Sequence, residues 1–209
     1  MLTLCLKSVL KSKPMRRVFF GLEIPAEIKN RLLQVRAEVA GATWQSVEQM
    51  HLTSLFLGNI EEEPLLAVRE VARSISLSAF ELNIARLGCF GQPHAPQNLW
   101  AGVQPEVPVV SLHNLIKNQL EILGIQTEHH VYRPHLTLAR FEREPGSIEH
   151  LLADYSETIF GTFYMDEFVL FESRQSPVGS VYTVLERYPL SYALTLETGR
   201  HPDRIRGCA

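Results

Sequence analysis

The string His-Leu-Thr occurs twice, at His51–Leu52–Thr53 and at His135–Leu136–Thr137. Imidazole titrates near neutral pH, so one ring of a pair can carry a proton while the other does not. Such a pair supplies a general acid and a general base. Threonine hydroxyls can donate hydrogen bonds to the non-bridging oxygens of a phosphate. Together these groups suit phosphodiester cleavage, in which a water loses a proton and a leaving alkoxide gains one. That set calls for no metal and no other cofactor.

A single His-x-Thr is a weak signal and more often marks a buried histidine bonded to its neighbours. Repetition with the same residue between outweighs that reading. Both copies fall in apolar runs with strand character, Met50 to Leu57 closed by Gly58 and Asn59, and His135 to Phe141 after Pro134. In a strand, residues two apart share a face. His51 and Thr53 therefore project together with Leu52 behind them, and His135 and Thr137 project together with Leu136 behind. On a helix the same residues would diverge. By this alternation Ser54 and Phe56 join Leu52 on the far side, where core packing is expected for Phe56. Arg140 lies an odd number of residues from His135, so regular alternation points it away. A bulge or a strand end would be needed to bring it to a phosphate.

The elements that must position these residues follow from periodicity and punctuation. Arg17 to Ile24 is β-rich and ends at Pro25, which opens a helix carrying Ile28, Leu32, Val35 and Val39 at helical spacing until Gly41. Pro64 starts a second helix through Leu65, Val68 and Ala72. Phe80 to Leu87 and Leu99 to Val103 read as strands, and Val107 to Leu123 as a helix ended by Gly124. Phe163 to Phe171 and Ser180 to Arg187 form a hairpin with SRQSPVG as a long loop. Mixed strand–helix order with a terminal hairpin predicts an α+β fold with largely antiparallel sheets.

Composition bounds the rest. The chain has 209 residues, 45% hydrophobic and 21% charged, an ordinary globular balance. A formal net charge of −3 gives no general attraction to nucleic acid, so a polyanionic substrate must meet a local basic pocket. Cys5, Cys89 and Cys208 are too few and too widely spaced for a zinc ribbon, and fit a reducing compartment such as the cytoplasm. No apolar run is long enough to span a bilayer. Residues 1–15 are expected to be a disordered extension, 16–190 one two-lobed domain, and 191–209 a flexible tail; a monomer is expected.

The flanks of the two motifs carry a resemblance. HLTSLFLG, RPHLTLAR, the opening RVFFGLEIPAEI and the closing FVLFESRQSPVGSVYTVLERYPL resemble the RNA 2′,3′-cyclic phosphodiesterase family. This is a branch of the two-histidine phosphoesterases historically described as 2′–5′ RNA ligases. The resemblance runs from about Arg16 to Leu190. It implies a bilobal α+β fold with pseudo-twofold symmetry, two mostly antiparallel sheets facing a central groove, helices outside, and one motif per lobe. It also implies hydrolysis of RNA ends or nucleoside 2′,3′-cyclic phosphates to 2′-phosphomonoesters. Carried over, His51 is the proton donor to the leaving 3′ oxygen and His135 the base that activates water. Thr53 and Thr137 fall on the hydroxyl positions, and Arg140 falls where similar proteins also have a basic residue. Ser54 replaces a larger apolar residue, a packing difference. Reversible 2′–5′ RNA ligation would use the same residues, and a non-catalytic RNA-end binder would have no need of an acid–base pair.

Other residues read more plainly. His129 and His130 are adjacent in an extended segment, point to opposite faces and suit a solvated loop rather than a metal site. His94 is expected at the surface, and Glu61, Glu62 and Glu63 at a helix N-terminus, where negative charge is favourable. Arg133 shares the face of His135 if the strand begins that early. Tyr132 and Trp44 have the chemistry to stack on a base, with rim or core packing as the plainer reading.

Overall fold

Two prolines set the starts of helices. Pro25 caps α1 (Ala26–Leu33) and Pro105 caps α3 (Glu106–Ile122), each holding the extended backbone that precedes a first turn. The remaining helices are α2 (Glu62–Ser74) and α4 (Glu149–Asp154). The strands are β1 (Met15–Glu23), β2 (Ala42–Trp44), β3 (His51–Glu61), β4 (Phe80–Gln92), β5 (Ala95–Gln104), β6 (His135–Phe141), β7 (Ile159–Met165), β8 (Glu167–Ser176) and β9 (Gly179–Pro189). The computed structural model describes residues 14–128, 130–177 and 179–192. β1 begins at Met15 and Ser191 bridges Ser78, so the folded unit reaches one residue beyond 16–190 at either end. Residues 1–13 and 193–209 of the expected extension and tail, with Cys5 and Cys208, lie outside the described residues, as does His129.

The strands run in the order β7-β4-β5-β6-β3-β1-β8-β9, with β2 added on β6, and every named pairing is antiparallel. The two lobes expected from the sequence are the two halves of this order. They are not separate sheets, because the pair Leu52–Leu136 hydrogen-bonds β3 to β6 and makes one nine-stranded sheet. Only Asp166 separates β7 from β8, although they stand far apart in the order. One residue spans a few ångströms, so the sheet curls into a half-barrel until these strand ends meet. The run Phe163 to Phe171 is therefore two strands in two lobes and not one.

Two further expectations change. α1 stops at Leu33, because Gln34, Val35 and Arg36 donate to carbonyls three residues back and tighten the last turn. Val35 stays fully buried outside the helix, so its apolar spacing reported burial and not helix. The β8–β9 ladder runs to the pair Ser176–Gly179, leaving a tight turn in place of the long loop. Gly179 at φ +114° makes that reversal possible. The core gathers Val18, Phe20, Leu22, Leu52, Leu136, Leu138, Leu112 and Ile116, and each fully buried leucine contributes roughly 1.5–3 kcal/mol. Among the described residues no helix is long and apolar enough to cross a membrane.

Candidate active site

His51 and His135 are each the first residue of their strand, and each is anchored the same way. His51 Nδ1 donates to the carbonyl of Gln49 at 2.8 Å, and His135 Nδ1 donates to the carbonyl of Arg133 at 2.7 Å. A carbonyl can only accept, so both protons sit on Nδ1 in the neutral rings and both Nε2 atoms carry an acceptor lone pair. In each case the residue two before the strand turns its carbonyl back on the ring, a main-chain contact that no residue type announces. Arg133 is not in β6, so the face-sharing expected of a strand does not apply to it; its exposed side chain lines the cavity beside His135.

Leu52 and Leu136 are fully buried behind the motifs. The antiparallel register through them sets His51 across from Thr137 and Thr53 across from His135. All four polar side chains thus line one groove. Its polar lobe, about 560 Å³, holds His51, Thr53, Thr137 and Arg140; the adjoining apolar lobe, about 400 Å³, holds His135, Phe90 and Tyr132, and Thr53 and Phe56 border both. Thr53 Oγ1 lies 3.0 Å from His51 Nε2 and donates to it when the ring is neutral.

Aromatic walls set the electrostatics. His51 lies 4.7 Å from the rings of Phe19 and Tyr182 and 5.9 Å from that of Phe171. Burial there pushes it down to about 4, and the charges of Lys29, Arg140 and His135 add in the same direction. His135 lies 4.9 Å from Phe90 and 6.2 Å from Trp100, and is lowered by burial first and then by Arg140. The carbonyl bonds to Nδ1 oppose both shifts. These aromatics come from β1, β4, β5, β8 and β9, and no local pattern announces them.

Arg140 does reach the groove. Leu99 pairs with Ala139 and Trp100 with Thr137, so Leu138 is an extra residue in β6. Leu138 and Ala139 are both buried, the alternation resets, and Arg140 emerges beside Thr137. β3 repeats this device. Phe20 pairs with Leu55 and Gly21 with Thr53, which makes Ser54 the extra residue. Ser54 and Leu55 are buried in succession, so Phe56 turns into the groove and not into the core as simple alternation predicts. Past the bulge the carbonyls of Thr53 and Ser54 find side-chain donors: Tyr132 Oη at 2.8 Å and His113 Nδ1 at 2.7 Å, with the two rings stacked 4.2 Å apart. Tyr132 is thereby a structural residue at the rim, and Trp44 is half-buried on the polar lobe's wall. His94 is exposed, Glu62 and Glu63 sit in the first turn of α2, and His130 pairs with Glu128 at 3.3 Å. Among the described residues no three His, Cys, Asp or Glu side chains gather as a metal-binding group.

A model of the 2′-5′ RNA ligase superfamily matches residues 21–177. A curated RNA 2′,3′-cyclic phosphodiesterase of Archaeoglobus fulgidus is 27% identical over 169 residues, covering 79% of this chain and 96% of that protein. One of Escherichia coli K12 is 28% identical over 181 residues, covering 84% and 97%. Among solved structures, TT0787 of Thermus thermophilus superposes with a TM-score of 0.72 at 25% identity, covering 84% of this chain and 98% of that one. E. coli LigT complexed with 3′-AMP superposes with a TM-score of 0.69 at 24% identity, covering 85% and 99%, a likeness of fold. With the family model spanning most of a chain that has this fold, the chain belongs to the 2′-5′ RNA ligase superfamily.

Proposed function

We propose that the protein hydrolyses RNA 2′,3′-cyclic phosphate ends to 2′-phosphomonoesters, with His51 and His135 as acid–base pair and without a metal. The observation that carries this reading is the register at Leu52 and Leu136, which sets both histidines and both threonines on one groove. The names of the curated relatives support the substrate class.

In this reading the cyclic phosphate lies over Thr53 and Thr137, whose hydroxyls donate to its non-bridging oxygens. Arg140 offsets its negative charge. Neutral His135 takes a proton at Nε2 from the water that attacks phosphorus. His51, protonated at Nε2, gives that proton to the departing 3′ oxygen, and the P–O3′ bond breaks. The product keeps its phosphate on the 2′ oxygen. The choice of His51 as donor and His135 as acceptor follows the family resemblance. Before substrate binds, both rings are neutral at pH 7. A bound phosphate has the opposite charge to Lys29 and Arg140, so it raises His51 and loads the acid as substrate arrives. Residues 16–190 carry the activity, which suits the cytoplasm, where thiols stay reduced.

The test is product analysis on a nucleoside 2′,3′-cyclic phosphate. We expect only the 2′-monophosphate, a loss of about 10²- to 10⁴-fold in His51→Ala and in His135→Ala, and no effect of EDTA. Full activity in either variant overturns the reading.

A further inference from the structure

We propose that the polar lobe carries a second anion subsite, built on Arg17, for the phosphodiester on the 5′ side of the terminal nucleotide. This rests on the phosphodiesterase reading above and narrows its substrate to RNA ends that bear that phosphate.

The lobe is larger than one phosphate requires, and two guanidiniums line it, Arg140 and Arg17. Several other arginines of the fold are paired with carboxylates: Arg16 with Glu62 and Glu172, Arg73 with Glu70 and Glu186, Arg187 with Glu23 and Glu167. Among the described residues neither Arg17 nor Arg140 has an ion pair. Arg140 stands close enough to both histidines to lower them, which suits the scissile phosphate. Arg17 stands elsewhere. It lies on β1 four residues before Gly21, the residue paired with Thr53, a rise of about 13 Å. Arg17 is exposed, and its guanidinium lies over the Phe56 ring, 5.0 Å from the centroid. Phe56 pairs with Phe19, between Arg17 and Gly21, so the ring under the cation lies two strand residues, roughly 7 Å, from the Thr53 level.

A guanidinium set over a ring keeps N–H groups available to recognise a phosphate by paired hydrogen bonds. The platform exists only because the Ser54 bulge turns Phe56 outward. Glu142, the carboxylate that lines the lobe, follows Arg140 in the chain and makes no ion pair with Arg17 among the described residues. A terminal nucleotide bridging Arg140 and Arg17 carries two phosphates, one cyclic and one diester.

Calorimetric titration with adenosine 2′-phosphate and adenosine 2′,5′-bisphosphate tests the subsite, beside hydrolysis of adenosine 2′,3′-cyclic phosphate with and without a 5′-phosphate. Wild type should favour the bisphosphate by about 10- to 100-fold, less as salt rises. In Arg17→Gln the affinity ratio should fall to about one, with partial recovery in Arg17→Lys. A wild-type ratio near one, or the same ratio in Arg17→Gln, overturns the proposal. If the ratios behave as expected while neither cyclic phosphate is hydrolysed, the subsite stands and the phosphodiesterase reading falls.

Discussion

Leu52 and Leu136 are Cα partners at the centre of the sheet, one from each His-Leu-Thr copy. The pair that hydrogen-bonds the two lobes is thus the middle residue of both motifs. Everything on the opposite side of those two backbones is chemistry, and everything beneath is core. The pseudo-twofold relation between the lobes passes through this contact, which is why His51 faces Thr137 and His135 faces Thr53.

Cutting either leucine back should act on both lobes. Leu52→Ala and Leu136→Ala each leave a void under both motifs, at about 2–5 kcal/mol in urea unfolding. The double variant should cost less than the sum of the singles, because the two side chains are direct neighbours.

The acid and the base can be told apart by the leaving group. Catechol cyclic phosphate expels a phenoxide that needs less protonation than a ribose alkoxide. Loss of the acid should matter less on that substrate, and loss of the base equally on both. We expect His51→Ala to recover at least about tenfold relative to His135→Ala; the reverse pattern exchanges the two roles.

Both histidines are held below the ordinary imidazole range, His51 at about 4. The singly protonated pair in free enzyme therefore exists only below the ordinary imidazole range. The kcat/KM profile should be a bell with its maximum below about pH 6.5, while kcat, measured with phosphate bound, peaks at higher pH. Stability carries the same sign. Below about pH 6.5 the unfolded chain takes up protons that the folded rings of His51, His113 and His135 refuse, so stability falls as pH drops and is level above. His51 alone contributes roughly 3 kcal/mol across that window, read from urea midpoints at about pH 4.5 and 7.5.

Arg140→Gln should lower kcat/KM by about 10- to 100-fold, and Arg140→Lys should recover only part of it, since a point charge replaces a planar fork. Unfolding of both variants should match wild type, because the side chain is exposed.

Gly88 makes room for the wall of His135. A Cβ there would lie 2.1 Å from Trp100 Cη2, so Gly88→Ala must swing the indole away from the groove. We expect a stability cost of about 1–3 kcal/mol. His135 should also titrate closer to the ordinary imidazole value, followed by NMR of the ring protons.

By itself the sequence determined the candidate residues and their first geometry. Two His-x-Thr strings in apolar runs bounded by Pro134 and Gly58 had to be strands. Period-two alternation alone then aligned four polar side chains and hid Leu52 and Leu136. That much is local, since it depends only on which way successive residues point. Arg140 and Phe56 were not legible in the same way. Their direction depends on one extra residue in each strand, Leu138 and Ser54, and a bulge is a property of two paired strands and not of one. The walls of Phe19, Phe171 and Tyr182 around His51, and of Phe90 and Trp100 around His135, come from strands distant in the chain. Only closure of the sheet brings them in, and with them the burial that lowers both rings. The sequence supplies the two imidazoles of the proposed acid–base pair; the tertiary structure sets their proton affinity and decides which cations face the groove, because burial and register are fixed only when strands meet.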